Sequence, residues 1–281
     1  MKTVAIVGVG LIGGSFGLAL RKAGFEGEIA GVSSERSVEA GIKAGAISRA
    51  ATLEEAAESA DLLYLAQPIE QILKTIERLG RICRPGCIIT DAGSTKALIV
   101  SKAREHIQSA VFIGGHPMAG KEQRGVEAAE ADLFRGRPYV LTPTEGYTQA
   151  VNELRGWLDR IGAQVLSMAP GEHDLTVAFT SHLPQLLSTA LAASLSRQDT
   201  GHFSRVFGPG LIDMTRLALS DPEVWASVLA TNKAAILEAV AAFEHELIAL
   251  RRDLEADHGI VDHFTSAATF SSKIRKPPCT T

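Results

Sequence analysis

The stretch TVAIVGVGLIGGSFG at residues 3–17 constrains this chain more than any other. Residues 4–7 are a short continuous apolar run, the pattern of a strand buried on both faces. The run passes straight into Gly8-x-Gly10-x-x-Gly13, and residues 15–23 have helical spacing. The glycine spacing alone is a weak signal that also suits a glycine-rich turn in some other α/β protein. Directly behind a hydrophobic strand and ahead of a helix, it points to dinucleotide binding. Gly8 permits the tight turn, Gly10 lets backbone approach a pyrophosphate, and Gly13 lets the helix pack close on the strand. The helix start offers free N–H groups and a partial positive charge to phosphates. Gly8, Gly10, Leu11, Ile12 and Gly13 are therefore the expected cofactor-binding set.

The next expected strand, Glu28–Val32, bears on which dinucleotide is bound. In such folds an acidic residue ~20 positions past the glycines holds the ribose 2′-OH of NAD, whereas a basic residue accommodates a 2′-phosphate. Here the strand ends in Ser33-Ser34-Glu35-Arg36. Ser33, Ser34 and Arg36 lean the expectation towards NADP, and Glu35 keeps NAD open. Equally, the two serines suit caps for a helix beginning near Ser37. A buried strand over residues 61–66 leads to Gln67-Pro68, where the ribose of a bound cofactor often passes in such folds. An amphipathic helix over 69–79, a strand over 87–90 and a helix from Thr95 follow. A strand over 111–113 then delivers Gly114-Gly115-His116-Pro117. Two more strands, 139–141 and 164–167, are separated by a helix over 148–161.

This alternation is the signature of a doubly wound, mostly parallel sheet. Past Pro170 the texture becomes helical, over 172–195, 211–219, 222–252 and 261–274. The expected architecture is α/β: a Rossmann-type domain over residues 1–169, then an all-α substrate and dimerisation domain over 170–281. The long helices of the second part are too apolar for a free-standing surface, which predicts a homodimer. The tail 273–281, with Pro277-Pro278, is expected to fray.

Composition removes several classes of function. A net charge of −4 offers no electrostatic footprint for nucleic acid or an anionic membrane. No apolar run reaches the ~20 residues that span a bilayer. A strand beginning at residue 4 leaves no room for a signal peptide. Three cysteines make no disulfide framework, and Cys83 and Cys87 lack a second ligand pair for zinc. The expectation is a cytoplasmic protein with no metal, acting on a small molecule.

Among eight histidines, His116 stands out because a glycine-rich loop at the cofactor edge has little to pack against it. An imidazole with an ordinary pKa near 6.5 suits a general base. His182, in Ser181-His182-Leu183-Pro184, suits a buried structural histidine equally well. Asp213 and Arg216 are spaced for an i,i+3 ion pair, or Arg216 is presented to a substrate carboxylate. The remaining histidines, His173 among them, have no context that lifts them above core or surface roles. No nucleophile elbow or metal-ligand cluster is present, so the chemistry falls to the nicotinamide with acid–base help.

Gly114-Gly115-His116-Pro117-Met118-Ala119-Gly120, Ser181-His182-Leu183-Pro184 and Asp213-Met214-Thr215-Arg216 with Asp221-Pro222 and Trp225 together resemble the prephenate/arogenate dehydrogenase family of tyrosine biosynthesis. So do Asp91-Ala92-Gly93-Ser94-x-Lys96 and Tyr139-Val140-Leu141-Thr142-Pro143-Thr144. The resemblance runs from residue 1 to about residue 255. It implies oxidation of a cyclohexadienol C4 hydroxyl with loss of the ring carboxylate as CO₂. It further implies that His116 takes the hydroxyl proton and that Ser94 bonds both His116 and the substrate hydroxyl. Arg216 would bind the ring carboxylate, and His182 and Lys121 would lie in the substrate pocket. Lys121 stands where some members have threonine, and Ile212 where others have lysine. Two alternatives remain: a β-hydroxyacid or imine reductase, which usually works with lysine or aspartate from the second domain, and a non-catalytic NAD(P)-binding regulator.

Overall fold

The computed structural model describes residues 1–275 apart from 122, 144, 145 and 147. Six residues of the expected tail, 276–281, and Thr144 of the Tyr139 motif therefore lie outside the described residues; residues 273–275 end a helix. In chain order the first part comprises β1 (Thr3–Val7), α1 (Leu11–Lys22), β2 (Glu28–Val32), α2 (Glu35–Lys43), β3 (Arg49–Ala50), α3 (Leu53–Ser59) and β4 (Leu62–Leu65). It continues through α4 (Ile69–Ile82), β5 (Ile88–Asp91), α5 (Ala97–His106), β6 (Val111–Pro117), β7 (Pro138–Pro143), α6 (Thr148–Ile161) and β8 (Gln164–Ser167). The eight strands form one sheet in the order β3-β2-β1-β4-β5-β6-β7-β8.

Neighbouring strands are parallel except β6 and β7, which are antiparallel. Strand order reverses beside β1: the chain goes first to β2 and β3, then crosses to β4 on its other side. Such a switch point leaves a crevice beyond the carboxyl ends of β1 and β4, the usual ligand position in open α/β sheets. Apolar residues alternate between the two faces as strand geometry requires. Val4 and Ile6 join Phe16, Leu20, Leu154 and Leu158 on one side of the sheet. Ala5 and Val7 join Leu63, Leu65, Ile72 and Ile76 on the other. Phe16 of α1 stacks on Tyr64 of β4 with ring centroids 3.9 Å apart, which ties the first helix to the sheet centre.

The helical part begins with α7 (Pro170–Val177), a π-type turn (Ala178–His182) and α8 (Leu183–Gln198). The single helix expected over 172–195 is thus two. Pro184 cannot donate to the turn before it, and the wide turn absorbs that break. Next come α9 (Pro209–Thr215), a 3₁₀ turn (Arg216–Leu219), α10 (Pro222–Thr231), α11 (Lys233–Glu255) and α12 (Ile260–Arg275). The expected helix over 222–252 is interrupted at Asn232, whose side chain is recruited elsewhere. By internal packing the chain divides into Met1–Lys233 and a unit beginning at Ala234. Within the second unit, His263 of α12 bonds Glu246 (2.9 Å) and Asp253 (3.0 Å) of α11. Among the described residues no single helix is long and apolar enough to cross a membrane.

Candidate active site

The glycine turn is built from backbone. Gly8 has φ +99°, and a Cβ there would lie 2.6 Å from the Ala66 carbonyl oxygen at the end of β4. At Gly13 a Cβ would lie 2.1 Å from the Gly8 carbonyl oxygen. These two glycines close the turn onto the neighbouring strand and onto itself. Helix α1 starts at Leu11 rather than near Ser15, so Gly13 lies inside its first turn. Its N-cap, Gly10, makes no side-chain capping bond. The early N–H groups of α1, including those of Leu11 and Ile12, therefore have no intrahelical partner. A Cβ on Gly10 would meet nothing within 4 Å. Open space before an uncapped helix N-terminus fits a pyrophosphate.

The other residues expected around the cofactor follow β2 and β4, with Arg36 in the first turn of α2. Ser33 and Arg36 are exposed beyond β2. Ser34 caps α2, accepting from Ser37 N–H at 3.4 Å, so that helix begins at Glu35, two residues earlier than expected. Gln67 accepts a bond from the Thr75 hydroxyl at 2.7 Å, and Pro68 is the N-cap of α4.

His116 is placed differently from the expectation. It is not in a loop after β6 but within that strand, paired in register with Val140 of β7, and it is only 8% exposed. The antiparallel β7 extends β6 by carrying its hydrogen bonds through Gly114 and Gly115, which draws the histidine into the interior. The hydrogen bond of His116 runs from Nδ1 to His173 Nε2, 2.8 Å away. Among the described residues no bond joins it to Ser94, the partner the resemblance implied; its partner is His173. Among the described residues His116 Nε2 has no hydrogen-bond partner, and it is not sealed from solvent.

Behind this pair lies a buried polar cluster. His173 Nδ1 is 2.8 Å from Asp174 Oδ1. The Asp174 carboxylate accepts from Lys96 N–H (2.6 Å) and Ala97 N–H (2.9 Å) at the start of α5. Asn232 donates to the Asp174 carbonyl at 2.7 Å and sits 3.3 Å from His182 Nδ1. His116 and His182 therefore belong to one network. The fully buried Lys96 ammonium bonds Asp91 and, at 2.7 Å, the Gly115 carbonyl. Asp91 in turn accepts from the backbone N–H groups of Gly93 (2.8 Å) and Gly115 (3.1 Å). Burial, and then His173, Lys96 and His182, hold the His116 imidazole well below its usual 6.5. Burial foremost lowers His182 to about 4. Both rings are neutral at pH 7, as a base must be before it accepts a proton.

A cleft of about 660 Å³ opens beside this network, lined by Leu11, Ile12, Lys121, Arg124, Arg216 and Trp225 among others. It joins the N-terminus of α1 to the 3₁₀ turn that carries Arg216. Lys121 pairs with Glu130, and Arg124 pairs with Asp221. His116, Ser94 and His182 do not line the cleft itself. His182 meets the edge of Trp225 with centroids 5.8 Å apart, and through that ring it borders the cleft.

Sequence comparison identifies the architecture. The family model for the prephenate dehydrogenase nucleotide-binding domain matches residues 16–167, and that for the prephenate dehydrogenase dimerization domain matches residues 169–266. The chain belongs to the prephenate dehydrogenase family. The prephenate dehydrogenase of Lactococcus lactis subsp. cremoris is 35% identical over 274 residues, covering 94% of this chain and 75% of that protein. The crystal structure of Aquifex aeolicus prephenate dehydrogenase in complex with hydroxyphenyl propionate and NAD+ superposes with a TM-score of 0.90 at 30% identity, covering 98% of both chains. Synechocystis arogenate dehydrogenase superposes with a TM-score of 0.83, also at 30% identity, covering 97% of this chain and 99% of that one.

Measured against this family member's network, the sequence reading lacked His173, Asp174 and Asn232. The adjacent His173-Asp174 pair just inside a helix that opens on Pro170 was the available signal. Its partners lie 57 to 78 residues away in the chain, beyond the reach of local spacing.

Proposed function

We propose that this protein catalyses the oxidative decarboxylation of prephenate or arogenate in tyrosine biosynthesis, with hydride transfer to NAD(P)+. Membership of the prephenate dehydrogenase family supports the reaction. One structural observation supports the assignment of the base: His116 keeps Nε2 unpartnered while its Nδ1 is held from behind. A bound nicotinamide would accept hydride from C4 of the substrate. The chain's residues do the rest. His116 Nε2 takes the C4 hydroxyl proton as the C=O forms, and loss of CO₂ then yields the aromatic ring. Ser94 orients the substrate hydroxyl. Arg216, exposed in the cleft, binds the ring carboxylate, and His182 and Lys121 border the rest of the substrate.

The proposed cofactor set is Gly8, Gly10, Leu11, Ile12 and Gly13 at the pyrophosphate, with Gln67 and Pro68 at a ribose. Exposed Ser33 and Arg36 beyond β2 lean the adenosine end to NADP. The capping bond of Ser34 makes its hydroxyl a weaker contributor. We place the functional boundary at 169/170, in keeping with the two family-model ranges, and we infer a homodimer formed through the C-terminal helices. Exposed Val261, Phe264, Phe270 and Ile274 on α12 and Leu247 and Ile248 on α11 are apolar surface that a second copy would cover. The buried free thiols Cys83 and Cys87 suit a cytoplasmic setting.

The test is absorbance of the reduced nicotinamide with prephenate or arogenate and NAD+ or NADP+ in all four pairings. Turnover is expected in at least one, with NADP+ favoured over NAD+. Cofactor binding without turnover in any pairing would overturn the reading and favour a regulator.

A further inference from the structure

The hydrogen bonds behind His116 have a direction. The Asp174 carboxylate sits on the N-terminus of α5 and accepts from two backbone N–H groups, at 2.6 and 2.9 Å. A carboxylate only accepts, so His173 Nδ1, 2.8 Å from it, donates. With its proton on Nδ1, His173 offers the Nε2 lone pair. His116 Nδ1, 2.8 Å away, must therefore carry its proton towards His173. The tautomer that results leaves the lone pair of His116 on Nε2, the nitrogen with no protein partner.

We propose that His173 and Asp174 are positioning residues, which fix His116 as its Nδ1–H tautomer and aim Nε2 as the proton acceptor. This inference rests on the reading of His116 as the base. Orientation follows from the same contacts: His173 and His116 meet edge to face at 71°, so the bond also limits rotation of the His116 ring. His173 is wholly buried and does not line the cleft. When His116 accepts a proton at Nε2, its Nδ1–H stays bonded to His173, and His173 stays bonded to the Asp174 anion. No proton need leave His116 towards the interior.

The charged and titratable groups around His116 are Asp91 and Lys96 from β5 and the lead into α5, His173 and Asp174 from α7, and His182 from the π-type turn. Lys96 and Asp91 neutralise one another, and the α5 N-terminus and His173 engage Asp174. Among the described residues no uncompensated anion remains to raise the affinity of His116 for a proton, which agrees with its lowered pKa.

Two substitutions separate positioning from packing. His173→Phe fills the space without an acceptor; His173→Gln returns an amide oxygen near the position of Nε2. With purified full-length enzyme, His173→Phe should lower kcat by about 100-fold, the lower range for loss of a general base, with the dissociation constant for NAD(P)+ unchanged. His173→Gln should recover at least tenfold of that loss. In His173→Phe the acid limb of kcat/KM should move to lower pH, because protonated His116 loses the acceptor of its Nδ1–H; in His173→Gln the limb should stay near its wild-type position. His173→Gln carries the test if His173→Phe does not fold. Equal rates in wild type and both variants, or a loss in His173→Gln as deep as about 100-fold, overturn the positioning role. Full turnover in His116→Asn would instead overturn the base reading on which it rests.

Discussion

The glycine turn after β1 and the polar cluster around His116 belong to one sheet but are made by opposite means. The turn works because side chains are missing, and it spends only residues 8–13 on a surface of backbone N–H groups. The cluster works because side chains are present and buried: Asp91, Lys96, His116, His173, Asp174 and His182 are each at most 8% exposed. Its groups come from β5, the lead into α5, β6, α7, the π-type turn and Asn232. A backbone site tolerates the surrounding chain well, since it needs only one local conformation. A buried polar cluster is stable only when every partner is in place. The first is a landing place for phosphate, and the second holds a single ring nitrogen at a defined angle and protonation state.

The largest expected break in this contrast is Lys96→Met. It leaves the Asp91 carboxylate, fully buried, without its ammonium partner. Removing one member of a buried pair costs about 3–5 kcal/mol, readable as a lower midpoint in urea. A loss below about 1 kcal/mol would mean that the N–H groups of Gly93 and Gly115 suffice.

Acid should attack the cluster and spare the turn. His182 has a folded pKa of about 4 against 6.5 in the unfolded chain, and His116 is lowered as well. The unfolded chain then binds protons that the folded chain excludes. This destabilisation is absent above pH 6.5 and grows as pH falls towards 4. The paired His263, raised chiefly by Asp253, opposes it weakly from the surface. Thermal midpoints measured from pH 7 to 4 should fall, and His182→Asn should flatten the slope. An identical slope in the variant would refute the assignment.

Two glycine substitutions sharpen the other half. Gly13→Ala places a methyl group against the Gly8 carbonyl, an overpacking cost of about 1–3 kcal/mol, and should abolish measurable NAD(P)+ binding. Gly10→Ala meets open space and should leave the melting temperature unchanged while weakening cofactor binding. Equal stability loss in both would show that the open space before α1 is not what the cofactor uses. The smallest effect belongs to Ser34→Ala, a lost helix cap worth about 1 kcal/mol, seen in urea unfolding with the NADP+ to NAD+ preference nearly unchanged.

The same contrast explains what the sequence revealed. The strand, turn and helix at residues 4–22 are written in contiguous residues, so the fold class and the glycine site were legible. Most strands were found where local apolar runs marked them. The two-residue β3 was not, being too short to carry a pattern. Strand direction was not legible either: residues 139–141 read correctly as a strand, but nothing in them says that β7 runs against β6. That direction is what moved His116 from a loop into the sheet. Local spacing does not single out His173, because its value lies in a bond to a residue 57 positions earlier. Helix α1 begins at Leu11, ahead of the expected residue 15, because glycines, poor helix formers in general, open this helix rather than precede it.

The most direct test of the account is to measure His116→Asn for NAD(P)+ affinity and for turnover in one preparation. Affinity equal to wild type with turnover lowered by about 10²–10⁴-fold is the predicted result, since the backbone turn binds cofactor without the base. Turnover near the wild-type rate would contradict it.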